Sequence, residues 1–299
     1  METAQETSGE TLTASTSQLS AFEPHLLDWR ATRIFAEKNL RIAFRYPTNW
    51  IVWGFLPIMW LAPYILMMTA IAGPGTSTNF QEVSGFNDFV RFAVIGWFVY
   101  QYVERSVWSI GNNFRWEQFS GTLEPLFVTP VPRMSILVGA ALADTVQCTM
   151  SAMMLLVFSS FLFGVSYVIT MIAPIVVIMT LMVLALYGFS FLLAGLIMVF
   201  KDPSVLSELV ANTLFVLSPV TYPVQALPPS VRFAAYLVPS TIAIVTVREL
   251  AINGVFELFS FLQSVALLLL VILTFWGLGL VSFNYAERWV KDRGSMGDF

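Results

Sequence analysis

Arg115-Trp116-Glu117-Gln118-Phe119-Ser120-Gly121-Thr122-Leu123-Glu124-Pro125-Leu126-Phe127-Val128-Thr129-Pro130 is a polar, turn-rich stretch set between two long apolar runs. Its residues are ordered by position. Those up to Phe119 are expected to continue the preceding helix. Glu117 and Gly121 stand four apart, hence on one face, and Gly121 leaves room for close backbone approach. Thr122 suits a helix cap, Pro125 an early helical position, and Thr129-Pro130 a stop. The expected product is a short, rigid elbow offering Arg115, Glu117 and Glu124 to a partner. The competing reading is an ordinary charged loop, and the rest of the chain separates the two.

On either side of this stretch the chain is built for lipid. Apolar residues make up 57% of it and charged residues 11%, well below the usual charged share of soluble domains. Several apolar runs reach the roughly 20 residues that carry a helix across a bilayer. The short alternating segments of a membrane barrel are missing. The fold expected is all-α and integral to the membrane, with six spans near residues 50–72, 87–110, 134–163, 168–200, 204–218 and 258–283. Pro57 and Pro63 predict a kink in the first span, and Gly73 ends it. The second is the least apolar, carrying Arg91, Glu104 and Arg105.

Residues 1–20 hold no Lys or Arg and many Ser and Thr. They read as a disordered tail and lack the basic start of a secretory signal. Across residues 26–45, Leu27, Ala31, Ile34, Phe35 and Ile42 fall in one sector of a helical wheel, with Arg30, Arg33, Arg41 and Arg45 on its flanks. A basic amphipathic helix of this kind is expected to lie on the membrane surface.

Between the fifth and sixth spans, Ser218 to Glu249 places Pro219, Pro223, Pro228, Pro229 and Pro239 among apolar residues. A straight spanning helix does not accommodate them. Broken helices that enter and leave one membrane face do, provided protein covers the freed backbone groups. With the amino terminus inside, all of the fifteen Lys and Arg except Arg91, Arg232 and Arg248 collect on the cytoplasmic side. That asymmetry predicts both termini in the cytoplasm. Cys148 lies in an apolar run and reads as a packing thiol. His25 has no Cys or His companion, so no metal site is expected.

The elbow resembles the cytoplasmic signature of type-2 ABC exporter (ABC-2) permeases, Glu-x-x-x-Gly-Thr-Leu-Glu-x-Leu-x-x-Thr/Ser-Pro. Glu117, Gly121, Thr122, Leu123, Glu124, Leu126, Thr129 and Pro130 match it at the same spacing, while Phe119 stands where members often carry a second acid. Leu217-Ser-Pro-Val-Thr-Tyr-Pro, Ala226-Leu-Pro, Val238-Pro-Ser and Val247-Arg248-Glu249 are similar to the family's outer re-entrant segment. The likeness covers about residues 26–290. It implies a tail over 1–22, an amphipathic interface helix over 23–48, a six-span permease domain over 49–285 and a cytoplasmic tail over 286–299. Within the domain it implies a coupling helix near 112–130 and a re-entrant segment near 218–250.

The resemblance further implies the membrane subunit of an ATP-driven exporter in the inner or plasma membrane, moving an amphipathic substrate outward. That substrate is a lipid-linked glycan or a hydrophobic drug or lipid. Two permease copies are implied, most simply a homodimer, on two copies of a nucleotide-binding subunit that carries ATP and Mg2+. The motor contact falls to Arg115, Trp116, Glu117, Gly121, Thr122, Leu123, Glu124, Thr129 and Pro130. None of the three lysines follows a glycine, so no phosphate-binding Gly-Lys motif is present and this chain itself is expected to be neither an ATPase nor another enzyme.

Candidate lining of a substrate path comprises Trp53, Trp60, Tyr64, Trp97, Tyr100, Phe215 and Tyr222, each of which could equally serve in helix packing or at the lipid interface. Glu208 is the sharpest intramembrane carboxylate, with Asp144 second; structural pairing is the competing role for both. Arg248 either guides an anionic headgroup or caps a helix, the second being the simpler expectation. A secondary transporter or channel without ATP coupling would need ionisable groups deep in several spans. An intramembrane enzyme would need facing carboxylates, a Ser/His set or metal ligands, none of which the sequence displays.

Overall fold

Asp28 opens the first helix of the computed structural model, which describes residues 27–73, 77–119, 121, 131–200 and 203–293. Its carboxylate accepts from the Arg30 amide at 2.8 Å, and its own amide donates to Ser135 Oγ at 2.7 Å. Helix α1, Trp29–Arg45, is thereby both capped and tied to a later segment. It packs against α5 (Arg133–Phe163) where α5 carries Gly139. A Cβ there would lie 2.6 Å from the Thr32 carbonyl oxygen.

This docking splits the apolar sector read from the sequence. Ala31 and Thr32 are buried, whereas Leu27, Ile34 and Ile42 remain exposed. Replacing Gly139 with valine is therefore expected to detach α1 from α5. The check is limited proteolysis in membranes, with cleavage within 29–45 rising at least severalfold over the wild type.

Helix α2, Pro47–Ala72, starts on a proline and ends at Gly73 with φ +84°. It stays one helix through Pro57 and Pro63. Its Ile58, Leu61 and Ile65 pack with Phe89, Val90, Ala93, Val94 and Leu155. Short α3, Thr78–Ser84, leads to α4, Phe89–Phe119, whose first amides are held by the Asp88 carboxylate. A left-handed glycine, Gly164 at φ +65°, ends α5.

The fourth span of the sequence reading starts later than expected: Ile169–Met171 form a 3-10 turn and α6 runs Ile172–Phe200. Helix α7 is Pro203–Leu217. The proline-rich region then breaks into a 3-10 turn at Val224–Ala226, α8 at Pro229–Tyr236 and α9 at Pro239–Arg248. Pro229 and Pro239 each occupy a first helical position, where the missing amide hydrogen costs nothing. A π turn at Glu249–Asn253 extends α9, and α8 meets this extended helix at a 91° bend. Gly254 then leads to α10, Leu258–Arg293.

Among the described residues every regular element is helical. Among the described residues four helices are long and apolar enough to cross a membrane, at Ile51–Ile71, Met134–Phe163, Ile172–Leu193 and Leu258–Ser282; the bent pair makes five if it counts as one span. α4 is too polar and α7 too short to join them. α6 and α10 form the most extensive helix pair. Their contact is set by small residues: a Cβ on Gly279 would lie 2.5 Å from the Gly188 carbonyl, and Gly195 lies under Ser282. Such close backbone approach drives helix association where lipid removes the hydrophobic contrast. The Trp276 indole donates to the Leu184 carbonyl at 2.8 Å across the same seam.

Candidate functional site

α4 is the hub, and its polar residues explain why it looks ill-suited to lipid. One face meets α5. There Tyr102 donates to Thr149 Oγ1 at 3.1 Å, Arg105 donates to Gln147 Oε1 at 3.1 Å and lies 3.5 Å from the Asp144 carboxylate, and Ser109 donates to Asp144. A second face meets α6, where Ser190 Oγ donates to the Ser106 carbonyl at 2.7 Å. A third meets α7 through Tyr100, whose hydroxyl donates to the Ala211 carbonyl at 3.0 Å. Asp144 is thus engaged in a structural ion pair with Arg105.

The helix continues as one piece for 31 residues to Phe119. Arg115, Trp116 and Glu117 therefore sit on its last turns. Gly121 is exposed and left-handed at φ +65°, turning the chain where a side chain would be strained. Thr122, Leu123, Glu124, Thr129 and Pro130 lie outside the described residues.

The aromatic candidates divide into three groups. Trp97, Tyr100 and Phe215 form one cluster, with ring centroids 4.9 to 6.0 Å apart. Tyr64 and Tyr222 act on the backbone: Tyr64 donates to the Thr221 carbonyl, and Tyr222 donates to the Val216 carbonyl. Trp53 and Trp60 are exposed on α2, and Glu208 is exposed on α7.

The strongest single feature escaped the sequence reading. Arg248 is 2% exposed, enclosed by protein. Its Nε donates to the Phe92 carbonyl at 3.1 Å and one terminal nitrogen donates to the Val220 carbonyl at 2.6 Å. Its guanidinium lies 3.3 Å from the Phe92 ring centroid. The planar fork can serve two carbonyls and an aromatic face at once, which a lysine cannot.

Capping by Arg248 was the sequence expectation. The acceptors, however, lie on α4 and on the turn after α7, not at the arginine's own helix end. That turn is held by three side-chain bonds from two helices. Tyr64 of α2 binds Thr221, Arg248 of α9 binds Val220, and Ser218 Oγ lies 2.5 Å from Ser240 Oγ of α9. Gly96 of α4 lets the turn come close, because a Cβ there would lie 1.9 Å from the Val220 carbonyl oxygen. The one sequence signal was an arginine in an apolar run with no acid at helical spacing.

The geometry is that of a helix bundle with a helical hairpin tied to the start of α4, whose 31 residues run on to Phe119. No curated protein matches the chain. The family model described as ABC-2 type transporter matches residues 32–252, a stretch that starts in α1 and takes in the hub, the elbow and the clamped hairpin. The chain belongs to the ABC-2 type transporter family and is a multi-pass membrane permease.

Proposed function

We propose that the chain is the membrane subunit of an ATP-driven exporter, with six spans and both termini in the cytoplasm. α4 and α7 supply the second and fifth spans beside the four apolar helices, and α8–α9 dip in and return on the outer face. The observation that carries this reading is the length of α4. Its 31 residues extend for about 46 Å, against a hydrocarbon core of about 30 Å. The turns bearing Arg115, Trp116 and Glu117 therefore reach beyond the lipid before Gly121 turns the chain.

A rigid helix anchored on three sides and projecting from the membrane is suited to carry a push from a motor below. The same end carries the start of α5 at Arg133 and the last turns of α10, with Arg288, Lys291 and Arg293. Gathered basic residues mark the cytoplasmic side. ATP and Mg2+ belong to a separate nucleotide-binding subunit, present in two copies beneath two copies of this chain. Closure of that pair pushes the elbows, and α2, α4 and α7 move to open the path outward. Trp53 and Trp60 of α2 and Glu208 of α7, all exposed in a single copy, face the second permease.

The test is substrate-stimulated ATP hydrolysis by the reconstituted assembly. Glu117→Lys is expected to lower stimulation at least tenfold while membrane insertion stays normal. Gly121→Val is expected to do the same. A Cβ at Gly121 meets nothing within 4 Å, so the loss would come from forcing the turn out of its left-handed conformation, at about 1–2 kcal/mol. Unchanged stimulation in both variants would remove the motor contact from this stretch.

A further inference from the structure

α1 meets α5 on one side only. Thr32, Phe35 and Ala36 are the residues that crowd Gly139. At 100° per residue, Arg30, Lys38, Arg41 and Arg45 all fall within about 40° of Ile34, whereas Thr32 and Ala36 fall about 160° from it. The side turned away from α5 therefore carries four cations around one apolar residue. All five are exposed, Ile34 by 65%. Ile42 widens the apolar part on the Lys38 flank and is exposed too.

Both ends of α1 are fixed close to where apolar helices begin. Gly139 stands five residues past Met134, the start of the apolar stretch of α5, about 8 Å along the helix. Arg45 stands six residues before Ile51, the start of the apolar stretch of α2, at most about 20 Å of extended chain. The bond from the Asp28 amide to Ser135 Oγ fixes the other end beside the same part of α5. α1 thus borders one leaflet and has no freedom to leave it.

The charge of the helix is one-sided. Trp29–Arg45 holds five basic residues against a single acid, Glu37. Glu37 lies 3.1 Å from Arg33 and 3.6 Å from Arg41, off to one flank, so the sector around Ile34 stays strongly positive.

Candidate occupants fit this sector unequally. A soluble anion would satisfy the cations and leave Ile34 and Ile42 in water. A neutral lipid would cover the isoleucines and give the cations no counter-charge. An acidic phospholipid supplies both, an anionic headgroup for the guanidinium forks and acyl chain for the isoleucines, with the long basic stems spanning the two levels. We propose that the face of α1 opposite α5 binds acidic phospholipids of the leaflet it borders and enriches them around the permease. Each basic residue close to an acidic leaflet tightens attachment about fivefold. The contact holds whatever the chain transports and whether or not a motor is attached.

The test uses the full chain in nanodiscs of phosphatidylcholine and phosphatidylglycerol at one fixed ratio. Cys148 is buried, so Ile34→Cys takes a bimane label at residue 34 alone. The acyl chains of one lipid or of the other are brominated, and quenching is compared at equal mole fraction. Brominated phosphatidylglycerol is expected to quench at least twofold more strongly than brominated phosphatidylcholine. Salt at about 1 M, where charge is screened within about 3 Å, should remove that excess. So should Arg30→Gln combined with Arg45→Gln, two exposed positions whose change leaves the α5 contact intact. A label at Leu273→Cys, on the exposed face of α10, should be quenched equally by both lipids. Equal quenching at residue 34, quenching by neither lipid there, an excess that survives the double variant, or the same excess at residue 273 overturns the proposal.

Discussion

Gly96→Ala is expected to abolish recovery of folded protein. The added Cβ would lie 1.9 Å from the Val220 carbonyl oxygen and 2.5 Å from an Arg248 terminal nitrogen. Neither neighbour can retreat. Val220 lies in the turn tethered by Tyr64, Arg248 and Ser240, and Arg248 is itself pinned between two carbonyls and the Phe92 ring. Overpacking a well-fitted interior commonly costs about 1–3 kcal/mol, and more where backbone must move. Here backbone must move. In detergent extracts followed by fluorescence-detected gel filtration, the monodisperse peak should be lost. Gly277→Ala is the control, because its Cβ would meet nothing within 4 Å; it should elute like the wild type.

Arg248→Leu is expected to produce the second-largest effect. The substitution keeps apolar bulk and removes both donors, leaving the Val220 carbonyl without its donor from α9. Hydrogen bonds to charged groups contribute about 1.5–3 kcal/mol each, so losing two is a large share of any membrane protein's margin. Arg248→Lys should recover little, since one ammonium cannot span both acceptors while stacking on Phe92. Thermal unfolding in detergent should shift down by roughly 5–10 °C for the leucine variant. A shift within experimental error would show that the hairpin is held by packing of α9 alone.

Arg248 also shows where sequence reading stops. An isolated arginine directs attention to acidic partners, but its acceptors here are backbone carbonyls 156 and 28 residues away. Carbonyls carry no residue signature. Gly139 and Gly96 are similar, since their meaning depends on which backbone approaches them.

Signals local to the chain were readable in advance. The prolines from Pro219 to Pro239 announce a broken segment, Gly73 announces a helix end, and the Glu-x-x-x-Gly-Thr-Leu-Glu pattern points to the family matched over residues 32–252. Span four was drawn a few residues too early, because Ile169–Met171 are as apolar as the helix they precede. The apolar sector of α1 was read as a single membrane face, because nothing local to residues 26–45 announces a protein neighbour on one flank.

Coupling through the end of α4 is the claim on which the transport account stands. Cys148, the only cysteine, is buried, so Glu117→Cys creates a single addressable thiol on the last turns of that helix. With a short thiol-to-amine crosslinker in membranes containing the co-expressed nucleotide-binding subunit, the account predicts one product joining this chain to that subunit. Its yield should change between the ATP-bound and nucleotide-free states. A thiol at residue 117 that forms no such product and is modified equally fast with and without the motor subunit would contradict it.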